Sequence, residues 1–337
     1  MFTDTPRKSC PRFQSAGRGY NQPMHVLCLS ASTKLREALT EALGESVVLH
    51  FSDPKAPDEK ALAESELVVA AKLEPELLAR LPKLKVVQIT SAGVDGKLYP
   101  ELFASGVQVV TGSDVHASAC AEHVLAMMLA LARQIPASTL AQKEKHWGVS
   151  QPLFQLEGKT VGIVGAGQIG QGIATRCKAF GMNTIGLRRN PELPAEGFDV
   201  VLPHLQYHEL VLRSNMIVLA LPLTPSTRWF FGEDEIEIVQ RGTYLFNIGR
   251  GGLLDEKYVW KALKNKWLAG AGLDVFDDEP LPPNSPWWEL DNVLITPHTG
   301  GQTDTVAERL AALVAEQVRR MQADEPLKNI VNPELGY

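Results

Sequence analysis

The chain has 337 residues, 45% of them hydrophobic, which suits two cores of ordinary size rather than one, so two domains are expected. A formal net charge of -6 and a pI near 5.8, with no basic stripe, argue against nucleic acid and anionic membrane surfaces as partners. The longest uninterrupted apolar run, Val124 to Ala132, falls short of the ~20 residues that span a bilayer, and four scattered cysteines (Cys10, Cys28, Cys120, Cys177) with no CxxC pair fit free thiols in a reducing, cytoplasmic setting.

Residues 1–23 are polar and basic, carry glycine and proline, and contain no apolar stretch of the kind that directs secretion; they are read as a tail outside the fold. From Met24, apolar strands are predicted at 24–30, 47–50, 67–70, 84–90 and 107–111, separated by stretches with helical spacing such as Lys34–Leu43 and Pro75–Leu81. That is the pattern of a small parallel α/β unit. A long helix with little polar relief follows, ASACAEHVLAMMLALARQ (117–134), and must bury more than one face. After a second helical stretch, ASTLAQKEKHW (137–147), strands recur at 160–165, 182–187, 215–220, 243–248, 269–274 and 293–295, which makes a second and larger doubly wound sheet. A helix from Asp304 to Met321 closes the chain.

The stretch TVGIVGAGQIGQGIA places Gly165, Gly167 and Gly170 directly after a strand and at the mouth of a helix. In that setting the first glycine permits a tight turn, the second lets a diphosphate approach the backbone, and the third allows close helix–strand packing, with the helix N-terminus facing the phosphates. The next strand ends in Leu187-Arg188-Arg189-Asn190, where a NAD-specific site carries an acid for the ribose hydroxyls. Two guanidinium groups there suit a 2′-phosphate, so NADP is favoured and NAD remains possible.

Further along, FNIGRGGLLDE carries a full charge, Arg250, where a buried strand leaves the core among three glycines. GLDVFDDEP sets Asp274 at a strand end and Glu279 in the loop beyond, and VLITPHTGG sets His298 just after another strand. The carboxyl edges of successive parallel strands share one crevice, so Arg250, Glu279 and His298 are expected to converge there. The residue types suit acid/base work on a bound ligand. Histidine is the side chain best suited to give a proton near neutrality, a neighbouring glutamate favours its charged form, and arginine binds a carboxylate and polarises a carbonyl.

From about Leu84 to Gly301 the chain resembles the D-isomer-specific 2-hydroxyacid dehydrogenases. The resemblance rests on SAGVD (91–95), CAEHVLAMML (120–129), GIVGAGQIG (162–170), LALPLTPST (219–227), FNIGRGGLLDE, GLDVFDDEP and TPHTGG (296–301). It implies a Rossmann cofactor domain (114–299) inserted into a flavodoxin-like split substrate domain (24–113 and 300–337), with the active site in the cleft between. It also implies that Arg250 binds the substrate's carboxylate and carbonyl oxygen, that His298 is the acid/base with Glu279 as its partner, and that amides around Ala92, Gly93 and Val94 grip the carboxylate. The implied dinucleotide contacts are Gly165, Gly167, Gln168, Ile169, Gly170, Arg188, Arg189, Leu221, Pro222, Thr227, Ile248, Asp274, His298 and Gly300. In some reductases of the family a tryptophan after the long helix lines the substrate site, which makes Trp147 a candidate. The long helix and the segment after it look like the family's dimer arm, so a homodimer is expected.

Other features are not taken as sites. His204 and His208 are spaced i, i+4, yet no HExxH pattern or third ligand accompanies them; they are read as a helix-surface pair, and no metal is expected. About 39 residues follow His298, so the extra regulatory domain of longer phosphoglycerate dehydrogenases is expected to be absent. The favoured substrate is glyoxylate or hydroxypyruvate, because DEPLPPNSPWWELDNVLITPH resembles the bacterial reductases of those acids. A bulkier 2-oxoacid such as 2-ketogluconate or phenylpyruvate is the alternative within the class, and a dinucleotide-sensing corepressor-like module the alternative outside it. Formate oxidation is disfavoured, since those relatives carry glutamine where this chain has Glu279.

Overall fold

The computed structural model describes residues 23–148 and 152–337, so the expected tail lies outside it except for Pro23. Two parallel sheets carry the fold. The first is built from β1 (Met24–Leu29), β2 (Val47–Ser52), β3 (Leu67–Ala70), β4 (Val86–Ile89) and β5 (Gln108–Val110) in the order β2-β1-β3-β4-β5, with α1 (Thr33–Leu43), α2 (Glu59–Glu64), α3 (Pro75–Leu78) and α4 (Pro100–Ala104) as connections. Two helices, α5 (Ser113–Ala132) and α6 (Ile135–Lys143), lead to the second sheet. It comprises β6 (Thr160–Val164), β7 (Asn183–Arg188), β8 (Val200–Pro203), β9 (Met216–Leu219), β10 (Tyr244–Asn247), β11 (Gly270–Leu273) and β12 (Val293–Ile295), in the order β12-β11-β10-β9-β6-β7-β8. Its connections include α7 (Gln168–Ala179), α8 (Tyr207–Arg213), α9 (Glu233–Ile238) and α10 (Glu256–Lys264), and α11 (Val306–Ala323) ends the helical part of the chain.

Both sheets are doubly wound, with strand order reversing at β1/β3 in the first and β6/β9 in the second. Ligands bind at the carboxyl ends of strands beside such reversals. The central strands read as continuous apolar runs because helices cover both faces. Strand β8 is the one element of the second sheet that the apolar pattern passes over. It is an edge strand of which only Leu202 is buried, so it lacks the run that marks its neighbours.

Helix α1 begins at Ser32, whose side chain accepts from the Leu35 amide, and it buries Leu35, Leu39 and Leu43 at four-residue spacing. These pack into one core with Met24, Val26 and Val69 of the first sheet and with Leu310 and Val314 of α11, so the end of the chain returns to the sheet on which it began. Helix α5 belongs to the other side: Val124, Met127, Met128 and Leu131 share a core with Val161, Ile163, Val218 and Phe246. Although the run Val124–Ala132 is short, α5 as a whole is long and apolar enough to cross a membrane, its most apolar 18-residue window having a mean hydropathy of 1.5. In the fold that apolar surface lies against α7 and β11.

The described cysteines, Cys28, Cys120 and Cys177, are free and buried, and burial pushes their thiols up to about 11, 11 and 12. They act as small apolar groups.

Leu39 is fully buried between sheet and α11. Leu39→Ala is expected to lower stability by about 2–5 kcal/mol through lost burial and an unfilled cavity, read as a shift of the urea unfolding midpoint.

Candidate active site

At the end of β6 the chain turns through Gly165 at φ +111°, in the left-handed half of conformational space, and a β-carbon there would sit 2.5 Å from the Ala220 carbonyl oxygen. A β-carbon on Gly170 would lie 2.1 Å from the Gly165 carbonyl oxygen, which is the close approach of helix to turn that the third glycine allows. Gly167 caps α7 and differs from both: nothing lies within 4 Å of where its β-carbon would be. The surface there is open, and the amides of Gln168, Ile169 and Gly170 belong to the first helical turn, which has no intrahelical acceptor for them. An open helix N-terminus with its amides unspent fits a dinucleotide diphosphate.

The neighbouring loops complete this edge. Leu221 borders the Gly165 turn, and Thr227 fixes the loop after β9 by donating to the Pro222 carbonyl (2.7 Å) and accepting from the Thr224 amide (2.8 Å). Ile248 is buried at the end of β10. Arg188 and Arg189 have different surroundings. Arg188 donates Nη1 to the carbonyls of Leu193 (3.4 Å) and Pro194 (3.3 Å). Arg189 is exposed, with its guanidinium 5.1 Å above the Tyr337 ring.

Arg250 follows β10 and reaches the loop after β4, which belongs to the other sheet. Its Nε donates to Asp95 Oδ2 (2.7 Å) and its Nη1 to the Gly249 carbonyl (2.6 Å), leaving Nη2 beside Gly93. A β-carbon on Gly93 would fall 1.7 Å from that Nη2, so only glycine admits the arginine. The buried Asn247 shapes the turn, donating to the Arg250 carbonyl (2.8 Å) and accepting from the Gly249 amide (3.1 Å). Among the described residues, the amides of Ala92, Gly93 and Val94 meet no acceptor.

His298 stands at φ +54° in the loop after β12, where a residue with a β-carbon is uncommon. Its amide bonds the Asp274 carbonyl (2.9 Å), and its Nδ1 lies 2.7 Å from Glu279 Oε2. Glu279 is held in turn, since its Oε1 accepts from the Phe276 amide (3.0 Å). With Nδ1 bonded to the carboxylate, Nε2 is the nitrogen left to face a substrate.

Behind this pair lies Asp274, 3% exposed, whose carboxylate turns inward and anchors the loop. Its Oδ1 accepts from Thr296 Oγ1 (2.6 Å) and the Thr299 amide (2.9 Å), and its Oδ2 from the Gly300 amide (2.9 Å). His123 of α5 adds Nε2, 2.9 Å from Thr296 Oγ1 and 3.4 Å from Asp274. Burial alone would raise the Asp274 carboxyl, but the bonds from His123, Thr296, Gly300 and Thr299 outweigh it and hold the group below its ordinary value. His116, seven residues earlier on α5, places Nδ1 2.9 Å from the Gly301 carbonyl and Nε2 3.2 Å from that of Thr90.

Two expectations change. Among the described residues the Trp147 ring, on the loop after α6, is fully exposed and packs on nothing, so they do not bring it to the cleft. His204 lies in a 3₁₀ turn ahead of α8 while His208 lies on α8, so the two do not share a helix surface. Residues not singled out from sequence are Asp95, Lys97, His116 and His123. Asp95 and His123 fall inside quoted motifs, but a partner 155 positions away, as Arg250 is for Asp95, leaves no local signal.

An open helix N-terminus after a glycine turn, with a carboxylate-backed histidine and an arginine following other strands of the same sheet, is the arrangement of a dinucleotide-dependent oxidoreductase. The sequence model described as "D-isomer specific 2-hydroxyacid dehydrogenase, NAD binding domain" matches residues 125–300. The chain is 35% identical over 300 residues to a glyoxylate reductase of Thermococcus litoralis, covering 85% of this chain and 90% of that one. It is 37% identical over 300 residues to a D-3-phosphoglycerate dehydrogenase of Methanocaldococcus jannaschii, covering 87% of this chain but only 56% of that longer protein. The crystal structure of an NADPH-dependent glyoxylate/hydroxypyruvate reductase from Sinorhizobium meliloti, solved with NADP and sulfate, superposes with a TM-score of 0.78 at 30% identity, covering 94% of this chain and all of that one (100%). The chain belongs to the D-isomer-specific 2-hydroxyacid dehydrogenase family.

The contact at Gly93 can be tested directly. Gly93→Ala is expected to push Arg250 out of place and cut kcat/KM by about 100-fold, with the thermal midpoint little changed because the loop is at the surface.

Proposed function

We propose that the protein reduces a small 2-oxoacid, glyoxylate or hydroxypyruvate first, to the D-2-hydroxyacid, with NADPH as the favoured hydride donor. The observation that carries this reading is the His298–Glu279 pair at 2.7 Å on the same sheet edge as Arg250, whose guanidinium lies against the α-carbon of Gly93 in the Ala92–Val94 loop. The amides hold the substrate's carboxylate. Arg250 polarises the ketone oxygen through Nη2, and His298 gives that oxygen its proton from Nε2. The nicotinamide, when bound, supplies the hydride. Gly165, Gly167 and Gly170 with the first turn of α7 hold the diphosphate, while Leu221, Pro222, Thr227, Ile248 and Gly300 border the rest of the dinucleotide. Asp274 serves it through the loop it anchors.

NADPH is favoured because no acid ends β7 and the Arg189 guanidinium has no carboxylate within salt-bridge distance among the described residues. The Sinorhizobium meliloti relative, itself named NADPH-dependent, agrees with this. A homodimer is proposed as well: Ile135, Leu140 and Trp147 on and after α6, and Leu153, leave large apolar side chains exposed on one arm, which a second copy would cover. A cytoplasmic location fits the free thiols.

A panel of 2-oxoacids assayed with each reduced nicotinamide tests the reading. The expected result is turnover of glyoxylate and hydroxypyruvate with a higher kcat/KM for NADPH than for NADH, and Arg189→Ala weakening NADPH about tenfold while sparing NADH. Preference for 2-ketogluconate or phenylpyruvate would transfer the assignment to a bulkier acid. Cofactor binding without turnover would favour the corepressor-like module.

The Glu279 carboxylate holds the His298 ring through Nδ1 at 2.7 Å and so fixes which nitrogen meets the substrate. Glu279→Ala is expected to lower kcat/KM about 100-fold in both directions while NADPH affinity stays within about twofold of the parent, read from steady-state kinetics and NADPH fluorescence titration.

A further inference from the structure

Arg250 meets the substrate loop with its charge already matched. Asp95 takes Nε at 2.7 Å and the Gly249 carbonyl takes Nη1 at 2.6 Å, so one arm of the guanidinium remains and the pair with Asp95 is electrically neutral. The same loop carries a second cation. Lys97 follows Asp95 by two residues, its amide bonds the Val94 carbonyl (3.0 Å), and its ammonium folds back to donate to Ser91 Oγ. Ser91 Oγ in turn donates to the Gly93 carbonyl (2.7 Å). The two cations thus flank one peptide: Arg250 lies against the α-carbon of Gly93, and Lys97 reaches its carbonyl through a single hydroxyl. Among the described residues no carboxylate lies within salt-bridge distance of Lys97.

We propose that Lys97 is a second substrate-binding cation, which supplies the unmatched positive charge that captures the carboxylate of the 2-oxoacid while Arg250 orients the carbonyl. This rests on the 2-oxoacid reading above. Charge counting gives the reason. Arg250 and Asp95 cancel, the amides of Ala92, Gly93 and Val94 bring dipoles but no net charge, and Lys97 leaves the loop one positive charge in excess, which a monocarboxylate balances. The environment agrees: partial burial, and then the Arg250 charge, lower the Lys97 amine below its ordinary value, as expected of a cation lacking a counter-ion, with Asp95 only partly compensating. An ammonium on a four-carbon stem can leave Ser91 to meet an incoming carboxylate, whereas a guanidinium held at two points cannot follow.

The test uses the full chain with NADPH bound and oxamate as the probe, with binding followed by NADPH fluorescence and turnover followed with glyoxylate. Lys97→Met is expected to weaken oxamate about tenfold and to raise KM for glyoxylate by a similar factor, with kcat within about threefold of the parent. Lys97→Arg should recover most of the loss. Asp95→Asn should tighten oxamate, because it frees the charge of Arg250. Unchanged oxamate affinity in Lys97→Met would overturn the proposal, as would a loss confined to kcat, which would make Lys97 a brace for the loop. If the parent reduces no 2-oxoacid with either cofactor, the functional reading fails by itself, and oxamate binding still decides the role of Lys97.

Discussion

A buried carboxylate organises the working edge of this molecule. Placing Asp274 at 3% exposure costs several kcal/mol of lost hydration unless donors replace the water. The donors are the hydroxyl of Thr296 and the amides of Thr299 and Gly300, all within a few residues of His298, together with His123 from α5. Satisfying the carboxylate therefore dictates the path of the loop after β12 and seats that loop on α5. Only along that path does His298 take a positive φ, a conformation that costs about 1–2 kcal/mol and persists because the surrounding bonds over-determine it. His298, the proposed acid/base, is placed by a residue whose own carboxylate turns inward.

Much of this was legible in the sequence, and the reason is local. Parallel strands covered on both faces are unbroken apolar runs, and the glycine turn after β6 needs residues that only one pattern supplies. The roles of Gly165, Gly167 and Gly170 can be told apart in the structure, by a left-handed φ, an open surface and a close carbonyl. Arg250, Glu279 and His298 were singled out because ends of neighbouring parallel strands share an edge, a topological rule that needs no distances, and the structure pairs Glu279 with His298.

What escaped the sequence is non-local or marginal. Strand β8 buries a single side chain at a sheet edge, so it has no run to announce it. Asp95, His116 and His123 act through partners 155, 185 and 173 positions distant, and nothing near them in the chain marks the contact. Trp147 shows the converse: a plausible position in sequence, yet a ring fully exposed among the described residues.

The backbone passes between the two sheets twice, once after β5 near Thr111–Ser113 and again near Gly301, and the imidazole of His116, just past the first passage, touches the carbonyl of Gly301 on the second and that of Thr90 at the end of β4. A motion that draws those two carbonyls apart breaks a contact of this ring, so one side chain of α5 acts as a rivet between the edge of the first sheet and the loop on which the chain returns to it.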